Sequence, residues 1–141
     1  MQLQKQTNNI KFKTHKKGVL TMEKRIITVN GNKYEFINSS RSTRNGFAHD
    51  TELLKNDYYN IGRGTAHYIN RTWECYRYQT VMRRCIDNII EEKYNNFIVN
   101  YKAKNNIKRI TAEKRAEAYK LFEDLAEIKE LREVYSELDR C

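Results

Sequence analysis

The stretch KRIITVNGNKYEFI, residues 24–37, decides the fold. Two runs rich in β-branched and aromatic residues, 24–29 and 33–37, flank the dipeptide Asn30-Gly31. Such side chains favour strands, and Asn-Gly tolerates the positive φ angles that a tight hairpin turn requires. The sequence therefore predicts an antiparallel β-hairpin at this point.

Further strands are predicted C-terminal to this hairpin. Residues 47–54 (FAHDTELL) and 64–70 (GTAHYIN) have the composition of strands. The polar segment 38–46 is typical of a loop, and residues 55–63, with their adjacent tyrosines, have the composition of a turn. Together these segments predict an antiparallel sheet of three to four strands.

From Thr72 onward the apolar residues recur every three or four positions, which is the period of an amphipathic helix. Thr72 is a suitable N-cap, and the helix is predicted to continue to about Tyr101. Packing of the apolar stripe on the sheet predicts an α+β domain over residues 22–101. The stripe consists of Cys75, Tyr78, Met82, Cys85, Ile86, Ile89, Ile90 and Phe97.

Residues 102–110 (KAKNNIKRI) are predicted to be a basic linker, and residues 111–141 a second long, acidic helix with Thr111 as its cap. An apolar stripe close to heptad spacing must be buried against the rest of the chain or against a second copy. The alternatives are therefore intramolecular packing and a homodimer through the C-terminal helix. The stripe consists of Leu121, Leu125, Ile128, Leu131, Tyr135 and Leu138.

The N-terminal segment, residues 1–21, has five lysines and no acidic residue. One interpretation is a disordered basic arm that binds polyanions. The other is an extension upstream of the true start, because the codons permitted for residues 16–19 include a ribosome-binding sequence at a workable distance before Met22. Translation from Met1 and translation from Met22 both remain open at this point.

The formal charge of +9 on the 141 residues is unevenly distributed. Residues 22–110 have sixteen basic and nine acidic residues, a balance of +7, whereas residues 111–141 have six and nine, a balance of −3. No apolar run approaches the length of a membrane span, and the N-terminus lacks the apolar core of a secretory signal. We expect a protein of the bacterial cytoplasm that binds no membrane.

Side chains typical of catalysis and metal binding are present without the spacing that such sites need. The histidines and cysteines lack the short paired spacings of zinc ligands. Asp50 and Glu52 could form a catalytic carboxylate pair, but the alternation of polar residues on a half-exposed strand explains their spacing equally well. Gly62-Arg63-Gly64 is too short for a phosphate loop and is not followed by the lysine and serine or threonine that such a loop requires. The sequence predicts a protein that is not an enzyme and that holds no cofactor or metal. The histidines and cysteines considered are His49, His67, Cys75 and Cys85.

Arginines and tyrosines are interleaved between residues 41 and 84, and these are the predicted contacts with a partner or with nucleic acid. Arginine neutralises phosphate groups, and tyrosine stacks on unpaired bases. The alternative is an ordinary solvated surface, on which Asp87 and Glu91 pair with part of the helical arginines. The predicted contact residues are Arg41, Arg44, Arg63, Arg71, Arg77, Arg84, Tyr58, Tyr59 and Tyr76.

Residues 43–54 (TRNGFAHDTELL) and 68–86 (YINRTWECYRYQTVMRRCI) resemble an element of small accessory proteins from phages and mobile elements of low-GC Gram-positive bacteria. Proteins of that class include anti-CRISPR inhibitors of type II CRISPR nucleases, which act by binding. The resemblance implies a non-catalytic inhibitor of a host defence system, whose partner is a defence nuclease with its RNA or DNA.

The order of elements, several strands followed by a long helix, is also similar to the DNA-binding modules of mobile-element integrases and to double-stranded-RNA readers. In those modules, basic side chains on the sheet or at the start of the helix contact the duplex. This second resemblance implies the alternative function, a direct DNA- or RNA-binding accessory protein or regulator.

Overall fold

The computed structural model describes residues 6–12, 19–67 and 76–140. Its antiparallel sheet has five strands in sequence order, and three helices follow. The α+β class and the antiparallel sheet are therefore confirmed, with one strand more than expected. The strands are β1 (Gln6–Phe12), β2 (Val19–Val29), β3 (Asn32–Thr43), β4 (Gly46–Lys55) and β5 (Tyr59–His67), and the helices are α1 (Gln79–Lys104), α2 (Ala112–Glu123) and α3 (Ala126–Leu138).

The hairpin predicted at Asn30-Gly31 joins β2 to β3. Both residues have positive φ angles, 53° and 80°, and Val29 pairs with Asn32 across the two-residue turn. This geometry matches the right-handed twist of the flanking strands, which explains the preference for Asn-Gly.

The extra strand lies in the N-terminal segment. Gln6 pairs with Thr28 and Phe12 pairs with Met22, so every residue of β1 pairs with a residue of β2 between positions 22 and 28. Where we expected a disordered arm, the structure has a strand at 6–12 and the start of β2 at 19–21, because β2 would otherwise leave a row of backbone hydrogen-bonding groups without partners. Translation from Met22 stays a prediction.

The segment 38–46, expected as a loop, is instead the end of β3, a two-residue turn and the start of β4. Two of its polar residues, Asn38 and Ser40, are buried. The Asn38 amide donates to Sδ of Met82 over 3.4 Å, and Ser40 Oγ lies 2.8 Å from the hydroxyl of Tyr78. Polar composition therefore did not indicate a loop, because Tyr78 and α1 supply partners for these side chains. Similarly, 55–63 is only partly a turn, since β5 begins at Tyr59.

Helix α1 begins later than predicted. Thr72 lies outside the described residues, and residues 76–78 form a bend and a turn before the helix starts at Gln79. Tyr78, the N-cap, is fully buried and bonded to Ser40 on the sheet, so the chain is anchored there before it turns into the helix. The helix ends at Lys104, three residues beyond the predicted end.

One C-terminal helix was predicted, but the structure has two. Helix α2 is capped by Asp124, and α3 begins after Leu125, whose backbone is extended (φ −63°, ψ 134°). The break lets α2 pack on the C-terminal half of α1, while α3 lies on β2 beside α1. Three of the six residues of the apolar stripe are buried within the chain and Tyr135 is half-buried, whereas Leu121 and Leu125 remain 54% and 43% exposed. A homodimer through this region stays a prediction, with only these two exposed leucines in the stripe.

The helices cover one face of the sheet, and the hydrophobic core lies between them. Helix α1 packs on β5 and β4 so closely that a Cβ atom on Gly64 would meet the helix backbone. Along the same edge, the Asn88 amide donates to the carbonyl oxygen of Arg63 (3.3 Å) and Arg84 donates to that of Thr65 (3.4 Å). Gly62-Arg63-Gly64 is therefore a helix-packing strand segment with a covered edge.

Candidate nucleic-acid interface

The predicted contact residues lie at both ends of the sheet. Arg44 lies in the turn between β3 and β4, whereas Tyr58 and Tyr59 lie at the turn between β4 and β5. The length of β4 separates these turns by roughly 30 Å, at about 3.3 Å per residue. Tyr58 and Tyr59 are 86% and 69% exposed, but they do not share a surface with Arg44.

Two of the predicted arginines are paired with carboxylates on the open face of the sheet. Arg41 Nε lies 2.7 Å from Oδ2 of Asp50, and Arg63 Nη2 lies 3.5 Å from Oε1 of Glu52. Because each positive charge has a carboxylate beside it, this part of the predicted surface attracts phosphate weakly.

The remaining predicted residues have varied environments. Arg44 and Arg77 are exposed, and Arg84 is exposed with a bond to a backbone carbonyl of β5. Tyr76 packs against the core beneath the guanidinium of Arg25, 5.2 Å from ring centre to Cζ, and burial raises the pKa of its hydroxyl. Arg71 lies outside the described residues. The structure therefore does not assemble the eight described residues of the predicted set into one positive surface.

A different basic surface lies where α1 ends and α2 begins. Residues 93–116 contain seven basic residues and one acidic residue, Glu113. We define five of the basic side chains as the connector cluster; all are exposed except Lys102, which is half-buried. Within the part of the chain that the structure describes, none of the five forms an ion pair, whereas neighbouring Lys114 pairs with Glu117 at 3.5 Å. The connector cluster consists of Lys102, Lys104, Lys108, Arg109 and Arg115.

The corner that carries the connector cluster is closed by a Schellman motif at the end of α1. Asn106 has a left-handed backbone (φ 52°), and the Ile107 amide donates to the carbonyl of Lys102 over 2.9 Å, while the Asn106 amide donates to that of Ala103 over 3.5 Å. The chain therefore reverses direction immediately after the helix. Reversal returns Lys108 and Arg109 to the neighbourhood of the α1 terminus.

On the far side of the corner, Thr111 caps α2, as predicted. Its Oγ1 accepts a hydrogen bond from the Lys114 amide at 3.2 Å. An aromatic cluster then fixes α2 against α1: the Phe122 ring lies 5.2 Å from Tyr94 and 5.6 Å from Phe97, between centroids. Both helix ends are thus held, and the basic side chains project from a fixed frame.

A hydroxyl–imidazole pair lies at the other end of α1, where Ser40 Oγ is 2.7 Å from Nδ1 of His49. Ser40 is only 6% exposed, and its hydroxyl is shared with Tyr78. A serine nucleophile must reach a substrate carbonyl, whereas this hydroxyl bridges two side chains under α1. We assign the group a packing role.

Metal-ligand clusters and membrane-spanning helices are absent from the described residues. No cluster of three or more histidine, cysteine or carboxylate side chains has the geometry of a metal site among residues 6–12, 19–67 and 76–140. Over the same ranges, no helix has both the length and the apolar character that crossing a membrane requires.

The Cys85 thiol is fully buried, and burial raises its pKa to about 12.

No protein-family model, curated protein or solved structure gives a significant match to this chain.

None of the nine predicted contact residues belongs to the connector cluster, although the sequence contains a signal for it. Residues 93–110 have five lysines and arginines and no acidic residue. The basic and polar composition of the end of this segment predicts a linker rather than a binding surface. Only the fold shows that a helix end, a reversal and a helix start bring these charges to one corner.

Proposed function

We propose that this chain is a non-catalytic protein that binds nucleic acid through the connector cluster. The observation that carries the proposal is a concentration of basic side chains at a rigid corner, without ion pairs to any described residue. Other basic side chains of the protein include many that are paired with carboxylates. Unpaired lysine and arginine side chains neutralise phosphates and release the counterions condensed on nucleic acid.

The distribution of acidic residues supports the same assignment. Helix α3 and the end of α2 carry most of the acidic residues of the C-terminal region, and Glu123, Asp124 and Glu127 are paired with Arg132, Lys129 and Lys93. The acidic groups therefore neutralise other parts of the surface. The connector cluster keeps its positive field, which is what steers a polyanion towards a protein.

We propose a host defence complex as the biological target. The support is the resemblance of residues 43–54 and 68–86 to accessory proteins of phages and mobile elements, among which inhibitors of RNA-loaded nucleases occur. In this setting the connector cluster would contact the RNA or DNA of the complex. The alternative setting is direct regulation on free DNA or RNA.

Binding of labelled DNA and RNA, measured at several salt concentrations, tests the proposal. The test variant replaces Lys102, Lys104, Lys108 and Arg109 with glutamine; the control replaces the ion-paired Arg41 and Arg63 with glutamine. We expect the salt dependence of log K to become shallower by roughly 0.9 for each phosphate contact that the test variant removes, and to stay unchanged in the control. Absence of binding at low salt, or equally weakened binding in both variants, would overturn the proposal.

Cleavage assays with an RNA-loaded type II nuclease separate the two settings. If the chain acts on a defence complex, it blocks cleavage, and the glutamine variant of the connector cluster blocks it less. If cleavage is unaffected while free nucleic acid is bound, the regulatory setting is supported. Inhibition that survives removal of the connector cluster would contradict the proposed binding surface.

A further inference from the structure

The C-terminal half of α1 has an uncharged face beside the connector cluster. Its residues follow three- and four-residue steps, so they lie on one side of the helix. All five are exposed, including Val99, an apolar side chain that is 65% exposed. We call this the groove face; it consists of Asn95, Asn96, Val99, Asn100 and Ala103.

The opposite side of the same helix is occupied. Tyr94 and Phe97 pack on Phe122 of α2, and Ile98 is 8% exposed. The groove face therefore points away from α2 towards solvent. From Asn95 to Ala103 it extends for about 12 Å, at about 1.5 Å per residue. A major groove of B-form DNA is about 12 Å wide and admits an α-helix.

The chemistry of the groove face suits base edges better than phosphates. Asparagine offers both a donor and an acceptor, which matches N6 and N7 of adenine, and an exposed apolar side chain can contact the methyl group of thymine. Solvated helix faces usually carry charged residues, whereas this one carries three asparagines and no charge.

The groove face lies between basic residues at its C-terminal end and acidic residues at its N-terminal end. The connector cluster begins at Lys102, at the C-terminal end, where flanking phosphates would lie. Glu91 and Glu92 are exposed one turn before Asn95 and would repel a phosphate backbone. These two carboxylates therefore bound the DNA-compatible part of this helix face on its N-terminal side.

We propose that the groove face enters the major groove of double-stranded DNA and favours A·T base pairs, while the connector cluster holds the adjacent phosphates. This inference rests on the proposed nucleic-acid function and names the class of nucleic acid. Double-stranded RNA is not accommodated in the same way, because its A-form major groove is too narrow and deep for a helix.

The test uses the full chain with DNA duplexes that contain either adenine or 7-deazaadenine, which lacks the N7 acceptor but keeps base pairing and phosphates. Selected A·T-containing sites are compared with G·C-only duplexes and with an RNA duplex. The groove variant is Asn96→Ala with Asn100→Ala, and the control is Asn45→Ala, an exposed asparagine in the β3–β4 turn.

We expect 7-deazaadenine to weaken binding of the unmodified chain by roughly 2- to 13-fold for each base that an asparagine reads, because the analogue removes one of the two hydrogen bonds of a bidentate contact. The groove variant should no longer discriminate between duplexes but should keep its salt dependence, and the control should behave as the unmodified chain does. Equal affinity for all DNA and RNA duplexes, with connector-cluster variants still defective, would overturn the groove proposal and leave nucleic-acid binding intact. Absence of any binding would overturn both.

Discussion

A Cβ atom placed on Gly64 would lie 3.0 Å from the backbone nitrogen of Cys85 and 3.1 Å from its Cα. Strand β5 and helix α1 can approach this closely only because residue 64 has no side chain. The neighbouring glycine, Gly62, differs, because a Cβ atom there would meet side-chain atoms of Ile89 rather than backbone. The Gly64 contact is with helix backbone and the Gly62 contact is with a side chain. A second substitution that shortens the facing side chain can therefore relieve a clash at Gly62 but not at Gly64.

We therefore expect Gly64→Ala to destabilise the protein by about 1–3 kcal/mol, the usual cost of overpacking, because the whole helix must move. Urea unfolding measures this change. Shortening the facing side chain should not help, so Gly64→Ala should cost the same in a Cys85→Ala background. A Gly64→Ala protein as stable as the unmodified chain would show that the helix is not held at this distance.

Gly62→Ala should behave differently in a double-mutant cycle. In the unmodified chain it is destabilising, but in an Ile89→Ala background the obstructing side-chain atoms are gone. We expect the cost of Gly62→Ala to fall by about 0.5–3 kcal/mol in that background, the range of coupling energies for residues in contact. Additive effects of the two substitutions would mean that the strand avoids Ile89 by shifting.

Arg25 is 3% exposed and donates to the carbonyl oxygens of Glu137 (3.1 Å) and Arg140 (2.8 Å) at the end of α3. Both bonds come from one nitrogen, Nη2. The lysine side chain is one bond shorter, so in Arg25→Lys the ammonium does not reach both carbonyl oxygens. We expect the free energy of unfolding to fall by about 1.5–3 kcal/mol, typical of a hydrogen bond from a charged group.

Amide hydrogen exchange locates the effect of Arg25→Lys. Faster exchange should be confined to α3 and the strands beneath it. Arg63→Lys is the matched control, because the Arg63 side chain is 74% exposed and its carboxylate contact is 3.5 Å long. If both substitutions had equally small effects, Arg25 would not be what holds α3 on the sheet.

Arg132 lowers the pKa of Glu123 below its usual value of 4.5, chiefly through the hydrogen bond from its guanidinium (2.9 Å). A lowered pKa in the folded state means that the carboxylate stabilises the protein above the unfolded pKa. This contribution disappears as the pH falls through the folded pKa. At pH 7, Glu123→Gln should cost about 0.2–1 kcal/mol, as expected for a partly exposed pair.

The pH dependence separates this ion pair from a packing effect. The stability difference between Glu123→Gln and the unmodified chain should be constant above about pH 5 and vanish under strongly acidic conditions, where both side chains are neutral. Glu92→Gln, at an exposed position, should show no difference at either pH. A cost of Glu123→Gln that persisted in acid would contradict the electrostatic origin.

The Cys85 thiol should be inert in the folded protein. Its pKa is raised to about 12 by burial, and it is inaccessible in the core. At pH 8 roughly one thiol in ten thousand would be ionised, and the thiolate is the reactive species. Iodoacetamide followed by mass measurement of the tryptic peptide 85–93 should find it unmodified without denaturant and alkylated in urea. Rapid labelling under native conditions would show that α1 separates readily from β5.

The sequence by itself determined the elements whose signals are local. Asn30-Gly31 specified a turn because few other dipeptides accept two successive positive φ angles, and Thr111 specified a helix start because its hydroxyl caps the helix locally. The three- and four-residue period established that a long helix packs on the strands. These features depend on neighbouring residues, so the sequence was sufficient for them.

The candidate interface was predictable only in part. The basic character of residues 102–110 was evident from the sequence. Pairing of Arg41 with Asp50 could not be predicted, because it depends on the register that brings β3 and β4 together. The positions of basic residues in a sequence therefore do not reveal which charges are already neutralised.

Only the tertiary structure decided where the polar residues of β3 lie, where the C-terminal helix breaks and which basic side chains share a surface. Asn38 and Ser40 are buried because Met82 of α1 and Tyr78 at its N-cap provide partners from the helix that packs on the sheet. The break at Leu125 separates α3 from α2, and α3 packs on β2. These outcomes depend on contacts between residues far apart in the chain. Local propensity cannot specify them, because the free energy of burial belongs to the assembled core rather than to any one segment.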